Sequence, residues 1–269
     1  MKQVLSVQDL SCVGKCSLTV ALPVLSAMGC QCAALPTAVL STHTAFPAPH
    51  RHMLTQEISP IVAHWRSVCV SFDAITVGYL ADAAQAEAVA RLIDRFDTTV
   101  ILDPVMGDHG KRYSGITDAH AQAVKTLCAK ADILLPNITE ASILTGIDYQ
   151  ETTDRKYYES LCEGLLALGP NAVVLTGVCL QEGEIGFMAA FRDKEPFVYQ
   201  ALRIPRSHHG TGDLFCAVFT GALMADRDIP HAAVLAARYV EKVIAATPDA
   251  TPFGVNFESQ LPWLWEQLQ

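Results

Sequence analysis

A polar segment with two glycines stands directly before an apolar helical segment late in the chain. His208-His209-Gly210-Thr211-Gly212-Asp213 leads into Leu214-Phe215-Cys216-Ala217-Val218-Phe219, which is apolar at every helical position. A helix that is apolar all round is buried, and its first turn presents unpaired N–H groups and the positive end of the helix dipole. We therefore predict an anion site at residues 210–213, where glycine lets the backbone approach the anion closely.

Asp213 is unusual in this segment, because a carboxylate repels an incoming anion. The position suits a general base that takes a proton from a hydroxyl group while the neighbouring amides hold the phosphoryl group being transferred. The alternative is an aspartate that only caps the buried helix.

Two other segments carry polar groups at a spacing suited to a metal ion. Asp103-Pro104-Val105-Met106-Gly107-Asp108 places two carboxylates in one loop, and with Asp213 they would surround a Mg²⁺ ion bound to nucleotide phosphates, mostly through water. The alternative is a turn that uses Asp, Pro and Gly for backbone reasons. Asn137-Ile138-Thr139-Glu140 matches a capping box, and the same spacing puts both polar groups on one helix face, where they can orient hydrated magnesium.

Composition excludes several classes of protein. The 269 residues carry a net charge of −9 and no basic stripe, which argues against a nucleic-acid partner. No apolar run approaches the roughly 18 residues of a membrane span. The N-terminus enters a strand pattern without a signal-peptide core, so we expect a cytoplasmic protein. The nine cysteines lack paired C-x-x-C spacing, and we expect reduced thiols.

The chain alternates segments with strand-like and helix-like patterns, which predicts an α/β fold with a mostly parallel sheet covered by helices on both faces. We find no repeat or linker and expect a single domain over residues 1–269. Strands are predicted at 2–7, 33–40, 74–77, 98–102, 132–135 and 172–175, with an antiparallel pair at 184–191 and 197–203. Helices are predicted at 17–28, 53–65, 81–96, 118–130, 157–168, 211–225, 230–246 and 258–268.

The polar residues singled out fall at the ends of predicted strands. In open parallel sheets, ligands bind at the carboxyl ends of the strands. We therefore expect one shared site that includes Asp9, the turn Ser41-Thr42-His43-Thr44, Gly78-Tyr79, Asp103, Asn137 and Thr176.

Six motifs resemble those of the vitamin B6 kinases, which phosphorylate pyridoxal, pyridoxine and pyridoxamine and belong to the ribokinase superfamily. They occur in the family order across nearly the whole chain. The resemblance implies a ribokinase-like three-layer fold and ATP-dependent phosphorylation of the 5′-hydroxymethyl group of a B6 vitamer. It also implies Mg²⁺, a monovalent cation such as K⁺, and a homodimer. The motifs are Val4-Leu5-Ser6-Val7-Gln8, Leu40-Ser41-Thr42-His43-Thr44, Gly78-Tyr79-Leu80, residues 103–108, Pro136-Asn137-Ile138-Thr139-Glu140 and Gly210-Thr211-Gly212-Asp213.

Carried over by position, the resemblance implies that Asp213 is the catalytic base and that the amides of Gly210, Thr211 and Gly212 form the anion hole. It places Tyr79 and Thr44 against the pyridine ring and its 3-hydroxyl group, with Ser41 and His43 supporting that loop. Around the magnesium–ATP complex it places Asp103, Asp108, Asn137, Glu140, Thr176 and Gly177, with Asp103 and Glu140 on the metal side.

Asp9 departs from the family pattern, since many members carry a serine that faces the ring at this position. An ionised carboxylate accepts hydrogen bonds and does not donate them, so it favours a protonated ring nitrogen and a cationic aminomethyl group. Both effects favour pyridoxamine over pyridoxal as substrate. The alternative is an aspartate that caps the following loop and never meets the ligand.

Two other functions compete with a B6 kinase. A hydroxymethylpyrimidine kinase of the same superfamily acts on a similar ring that bears a CH₂OH group, although Tyr79 and the turn 41–44 favour a pyridoxal-type substrate. A non-catalytic module that binds a vitamer or a nucleotide is the second alternative. Such a module has no need of the base Asp213 beside an anion hole.

Overall fold

A computed structural model of the protein describes residues 1–206, 208–248 and 251–268. Within them the strands, which alternate with helices along much of the chain, form one nine-stranded sheet and a two-stranded hairpin. The strands are β1 Gln3–Ser11, β2 Gln31–Leu40, β3 Arg51–Met53, β4 Ala74–Val77, β5 Thr99–Leu102, β6 Gly107–Asp108, β7 Lys111–Arg112, β8 Ile133–Leu134, β9 Ala172–Val178, β10 Glu184–Phe191 and β11 Lys194–Leu202. The helices are α1 Leu18–Ala27, α2 Thr55–Ser67, α3 Ala83–Ile93, α4 Asp118–Cys128, α5 Ile138–Thr145, α6 Arg155–Leu166, α7 Thr211–Met224, α8 Ile229–Ala246 and α9 Leu261–Glu266.

The sheet has the strand order β11-β10-β9-β8-β5-β4-β1-β2-β3. The six strands from β9 to β2 pair in parallel. Antiparallel strands lie at both edges, with β3 on β2 and the β10–β11 pair on β9. This arrangement confirms the predicted mostly parallel sheet and brings the carboxyl ends of six strands to one edge.

Each face of the sheet carries its own apolar core. Along β1, Leu5 and Val7 pack on one face with residues of α2 to α6, whereas Val4 packs on the other with α1, α7, α8 and α9. This alternation is the period-2 pattern of a strand that is buried on both sides. Helices therefore cover both faces, as predicted. Among the described residues, no helix has the length and apolarity needed to cross a membrane.

The structure differs from the sequence-based prediction in several local features. Met53 lies in the short edge strand β3, and the helix predicted from it starts at Thr55. β1 continues past Val7 to Ser11, because after an irregularity near Gln8 it pairs again with β2. The hairpin β6–β7 within the 103–113 loop was not predicted.

Candidate active site

The first turn of α7, where we predicted an anion site, has no side-chain cap. Gly210 is the N-cap residue, in the left-handed region with a φ of 86°, and no side chain caps the helix. A Cβ atom at this position would lie 2.1 Å from the carbonyl oxygen of Lys15, so the loop before α1 requires glycine here. The N–H groups of the first turn are therefore left without side-chain partners at the sheet edge where the carboxylates gather. Asp213 does not act as the helix cap.

The Asp213 carboxyl group lies in the first turn of α7 and is partly buried. Its pKa is raised from 3.8 to about 7, mainly by burial; a hydrogen bond from the Ser17 backbone N–H opposes the rise, and the negative charge of Asp9 contributes to it. A carboxyl group with a pKa near neutrality can gain and lose a proton at physiological pH. Asp213 therefore has the properties of a general base.

Asp103 and Glu140 extend this cluster of carboxylates. Asp103 directly follows β5, is 8% exposed, and its Oδ2 lies 3.7 Å from the position of a Cβ on Gly212. Burial raises its pKa, and the charges of Glu140 and Asp213 raise it further. Burial also raises the pKa of Glu140. Three carboxyl groups thus repel one another next to the predicted anion site, an arrangement that a bound cation relieves.

Glu140 is held by two backbone donors. Asn137 caps α5 with its side-chain oxygen, 3.0 Å from the Glu140 N–H, while Glu140 Oε2 accepts the Asn137 N–H at 2.8 Å. This is the predicted capping box. Glu140 Oε1 also accepts the N–H of Met106 at 3.1 Å, so it ties α5 to the loop that carries Asp103.

The donor set fits a hydrated divalent cation better than a bare one. Within the described residues, no three His, Cys, Asp or Glu side chains converge closely enough to hold a metal directly. Both Glu140 oxygens already accept backbone hydrogen bonds. Mg²⁺ commonly keeps several waters and uses one or two carboxylates, which matches oxygen ligands at Asp103 and Glu140 that act through water.

The residues predicted for the nucleotide lie next to this cluster. Asn137 forms a parallel bridge with Thr176, and Thr176 donates its N–H to the carbonyl of Pro136 at 2.9 Å. Gly177 follows with a φ of 81°. Asp108 is exposed on the β6–β7 hairpin, where the Asn137 side chain holds the carbonyl of Gly107 at 2.8 Å. Thr176 and Gly177 lie within β9 rather than after it.

His43 stabilises the turn 41–44, which is predicted to face the substrate ring. The side chain of His43 is buried; its Nε2 lies 3.0 Å from the carbonyl oxygen of Pro252, and its Nδ1 accepts the Ala45 N–H. Its ring lies 5.2 Å from that of His209, next to the start of α7. Thr44 is exposed beside it. Ser41 closes the base of the loop, because its Oγ accepts the His50 N–H at 2.9 Å.

Tyr79 and Asp9 lie on the same side of the sheet edge. Tyr79 is separated from the end of β4 by Gly78 alone. The charge of Asp9 is among the causes that raise the pKa of its phenol, after burial. Asp9 is 3% exposed. Its oxygens accept the hydroxyl groups of Ser17 at 2.6 Å and Ser11 at 3.0 Å. These contacts are those of the loop-capping alternative for Asp9.

Two site residues were not predicted from the sequence. Gln8 lines a small cavity together with Asp103 and Asp213 and donates to Ser6 Oγ at 2.9 Å. Tyr113 follows the hairpin, and burial and the negative charges of the carboxylate cluster raise its pKa. A polar residue inside a buried strand is a sequence signal that could have identified Gln8, whereas we know of none for Tyr113.

The chain is similar to known kinases over most of its length. The family model of phosphomethylpyrimidine kinase matches residues 21–257. A pyridoxine/pyridoxal/pyridoxamine kinase from Bordetella avium is 31% identical over 91% of this chain and 85% of its own length. A crystal structure with pyridoxal, of a candidate phosphomethylpyrimidine kinase from Bacteroides thetaiotaomicron, superposes with a TM-score of 0.92 at 33% identity and covers 98% of this chain and 95% of that one.

Pyridoxal kinase from Lactobacillus plantarum is equally similar in fold. Its TM-score is 0.91 at 31% identity, and the alignment covers 99% of this chain and 98% of that one. These similarities confirm the resemblance to B6 kinases that the motifs indicated, and they decide against a non-catalytic module. The chain therefore belongs to the phosphomethylpyrimidine kinase family, and it is a kinase with the ribokinase-like fold.

Proposed function

We propose that the protein transfers the γ-phosphoryl group of ATP to the 5′-hydroxymethyl group of a vitamin B6 vitamer. The observation that carries this proposal is Asp213, a carboxyl group with a pKa of about 7 in the first turn of α7. A base is most effective when its pKa lies near the working pH. The uncapped amides beside it suit the phosphoryl group that the same reaction transfers.

The chemistry divides between these two groups. Asp213 accepts the proton of the substrate hydroxyl group as the hydroxyl oxygen attacks the γ-phosphorus of ATP, and ADP leaves with the β–γ bridging oxygen. The amides of Gly210, Thr211 and Gly212 donate hydrogen bonds to the phosphoryl oxygens, where negative charge must be stabilised during transfer. Phosphoryl transfer depends mainly on position and charge stabilisation, which is what a rigid helix start provides.

Asp103 and Glu140 are the residues we assign to hydrated Mg²⁺. When bound, the ion neutralises phosphate charge. Their raised pKa values support this role, since a cation would relieve the repulsion among carboxylates in the cluster. We assign Asp108, Asn137, Thr176 and Gly177 to the nucleotide side of the same site. A monovalent cation such as K⁺ belongs to the proposal and is testable by exchanging potassium for sodium in the assay.

The relatives, and the residues that we assign to the substrate ring, support a B6 vitamer as the substrate. The Bordetella avium relative is named for all three B6 vitamers, and the Bacteroides thetaiotaomicron structure contains pyridoxal. In this chain we assign the ring to Tyr79 and Thr44, with Ser41 and His43 holding the loop. Asp9 supports the same side through its serine partners.

A pyrimidine kinase is the second candidate function, and the family match favours it specifically, because the matching family is described as phosphomethylpyrimidine kinase. Hydroxymethylpyrimidine also presents a CH₂OH group on a nitrogen heterocycle. The same base and anion site would serve either substrate. Only the residues assigned to the substrate ring, Tyr79 and Thr44, can distinguish the two functions.

A panel of substrates tests the proposal directly. ATP consumption is measured with pyridoxal, pyridoxine, pyridoxamine, hydroxymethylpyrimidine and its monophosphate, and each phosphorylated product is identified by mass. We expect the highest kcat/KM with a B6 vitamer. The folded Asp213→Asn variant is the matched control for contaminating kinases. A higher kcat/KM with either pyrimidine would overturn the vitamer assignment.

A further inference from the structure

His120 is a buried histidine whose ring has no hydrogen-bond partner. It lies in the first turn of α4 and is 2% exposed. Its backbone N–H donates to the cap residue Thr117 at 3.2 Å, but neither Nδ1 nor Nε2 has a partner. Leaving a buried polar group unpaired costs free energy of folding. An imidazole in this place therefore points to a partner that the protein itself does not supply.

A small cavity lies beside the ring. It is bounded by His120 and by Val124 and Leu127 of α4, and on the other side by Gly78 and the turn Asp103-Pro104-Val105. The space has room for about one water molecule. Its wall thus combines an unpaired imidazole with the carboxyl ends of β4 and β5.

Asp103 is the acidic residue of the opposite wall. No protein hydrogen bond reaches the Asp103 carboxylate within the described part of the chain, although the residue is 8% exposed. A neutral imidazole has one donor nitrogen and one acceptor nitrogen, and a water bonded to either of them can still bond to a second polar group. Water in proteins is found where such polar groups converge.

We propose that this cavity holds a structural water through which His120 positions the turn that carries Asp103. His120 touches no substrate in this arrangement and is a positioning residue. The functional half of the inference rests on the proposed role of Asp103 beside magnesium and nucleotide. Burial lowers the pKa of His120, against the opposing charge of Asp82, which agrees with a neutral ring that both donates and accepts.

A crystal structure of the unmodified protein at high resolution tests the water site. We expect an ordered water within about 3.2 Å of a His120 ring nitrogen. An empty cavity, or a ring turned to a protein partner, would overturn the inference. This result does not depend on which substrate the kinase uses.

Calorimetric titration of ADP at increasing Mg²⁺ tests the positioning role without any vitamer. In His120→Leu the water loses its imidazole partner, and groups behind a metal ligand typically change metal affinity by 10–100-fold when they are lost. We expect the Mg²⁺ concentration for half-maximal ADP binding to rise by about tenfold. His120→Gln keeps a donor and an acceptor, and we expect it to restore most of the affinity.

Cys162→Ala is the matched control, because Cys162 on α6 is as buried as His120 and lies outside the cavity wall. We expect it to lower Tm without changing the Mg²⁺ requirement. An equal rise in Cys162→Ala, or an unchanged requirement in His120→Leu, would overturn the positioning role. A B6 panel without activity would reject the proposed substrate and leave these binding results standing.

Discussion

Asp213 combines the two properties that a base for phosphoryl transfer needs, a position beside uncapped helix amides and a pKa of about 7. Asparagine has nearly the same shape but cannot take the proton. We therefore expect Asp213→Asn to lower kcat by roughly 10²–10⁴, the usual contribution of a general base. The measurement is kcat with the best substrate of the panel.

The Kd for ADP shows whether Asp213→Asn removes only the base or also disturbs the nucleotide-binding site. We expect Asp213→Asn to bind ADP with nearly the wild-type Kd, because the helix amides remain. Full activity in the folded variant would reject Asp213 as the base. A large loss of ADP affinity would indicate that the substitution disturbs the anion site itself.

Asp9 illustrates a residue whose type suggested one role and whose contacts suggest another. With both oxygens bonded to Ser17 and Ser11, we expect Asp9→Ser to lower kcat/KM for pyridoxamine and pyridoxal by similar factors and to lower Tm. The physical reason is the loss of the buried hydrogen bonds that hold the loop before α1. A distinctly larger loss for pyridoxamine would show that Asp9 reads the positive charge of the substrate.

The contacts of a residue could be predicted from the sequence where a local motif determined them. The capping box of Asn137 and Glu140 follows from local spacing alone. His120 lacks such a pattern, and Gln8 stands out only as a polar residue in a buried strand. The place of both residues in the structure emerges only when the sheet brings distant segments together. Tyr113 depends on an unpredicted hairpin for its place near the carboxylates.

At the level of elements, the two glycines at the start of α7 have different roles. A Cβ on Gly210 would lie 2.1 Å from the backbone of Lys15 at a φ of 86°, whereas a Cβ on Gly212 meets only the Asp103 carboxylate at 3.7 Å. Residues with a Cβ rarely adopt positive φ. We expect Gly210→Ala to lower kcat by about 100-fold and to lower Tm.

Gly212→Ala is the control for this prediction, and we expect it to keep Tm and most of the activity. Both variants are compared by thermal unfolding and by kcat at saturating substrates. Similar losses in both would mean that the anion site tolerates no side chain anywhere in the turn. Similar behaviour to wild type in both would contradict the close approach of the loop before α1.

The N-terminus of α5 allows the metal assignment to be tested through Glu140. Its carboxylate accepts two backbone N–H groups, and glutamine can accept only one of them without turning its NH₂ group toward a donor. We expect Glu140→Gln to lower Tm and to raise the Mg²⁺ needed for half-maximal rate. Thr139→Val is the control, because it removes only the hydrogen bond to Gly110, and it should lower Tm without changing the Mg²⁺ requirement. If Glu140→Gln leaves the dependence of rate on Mg²⁺ unchanged, capping α5 is the whole role of Glu140.

Elements with a clear apolar or alternating pattern were predicted well, whereas the very short strands β3, β6 and β7 were not. The strand at Ala74–Val77 and the antiparallel pair of β10 and β11 match the prediction closely. The two-residue strands β6 and β7 are too short to show any alternation. β3 was missed because Met53 also fits the apolar face of the helix that follows, and only pairing with β2 decides its conformation.

At the scale of the whole molecule, the parallel sheet gathers acidic groups that no single segment contains. Asp9, Asp103, Glu140 and Asp213 come from four elements, and burial raises the pKa of each. Keeping such groups charged costs free energy of folding at neutral pH. The fold therefore gives up some stability to assemble the site, and ligand binding would recover part of it.

The pH dependence of unfolding measures this cost for Asp213. In the unfolded chain the carboxyl group ionises near its ordinary pKa of 3.8, whereas in the folded protein it ionises near 7. Below pH 3.8 the group is protonated in both states and costs nothing. Between pH 3.8 and 7 it ionises only in the unfolded chain, which lowers the free energy of unfolding, and above pH 7 the full loss remains.

An asparagine side chain does not titrate, so we expect Asp213→Asn to match wild type near pH 4 and to have a higher Tm at pH 8. At about 2–4 °C for each kcal/mol in a chain of this size, the gain should be several degrees. Glu87→Gln, which changes an exposed carboxylate on α3, is the control and should give no such trend. A Tm difference that is independent of pH would show that the burial of Asp213 carries no ionisation cost.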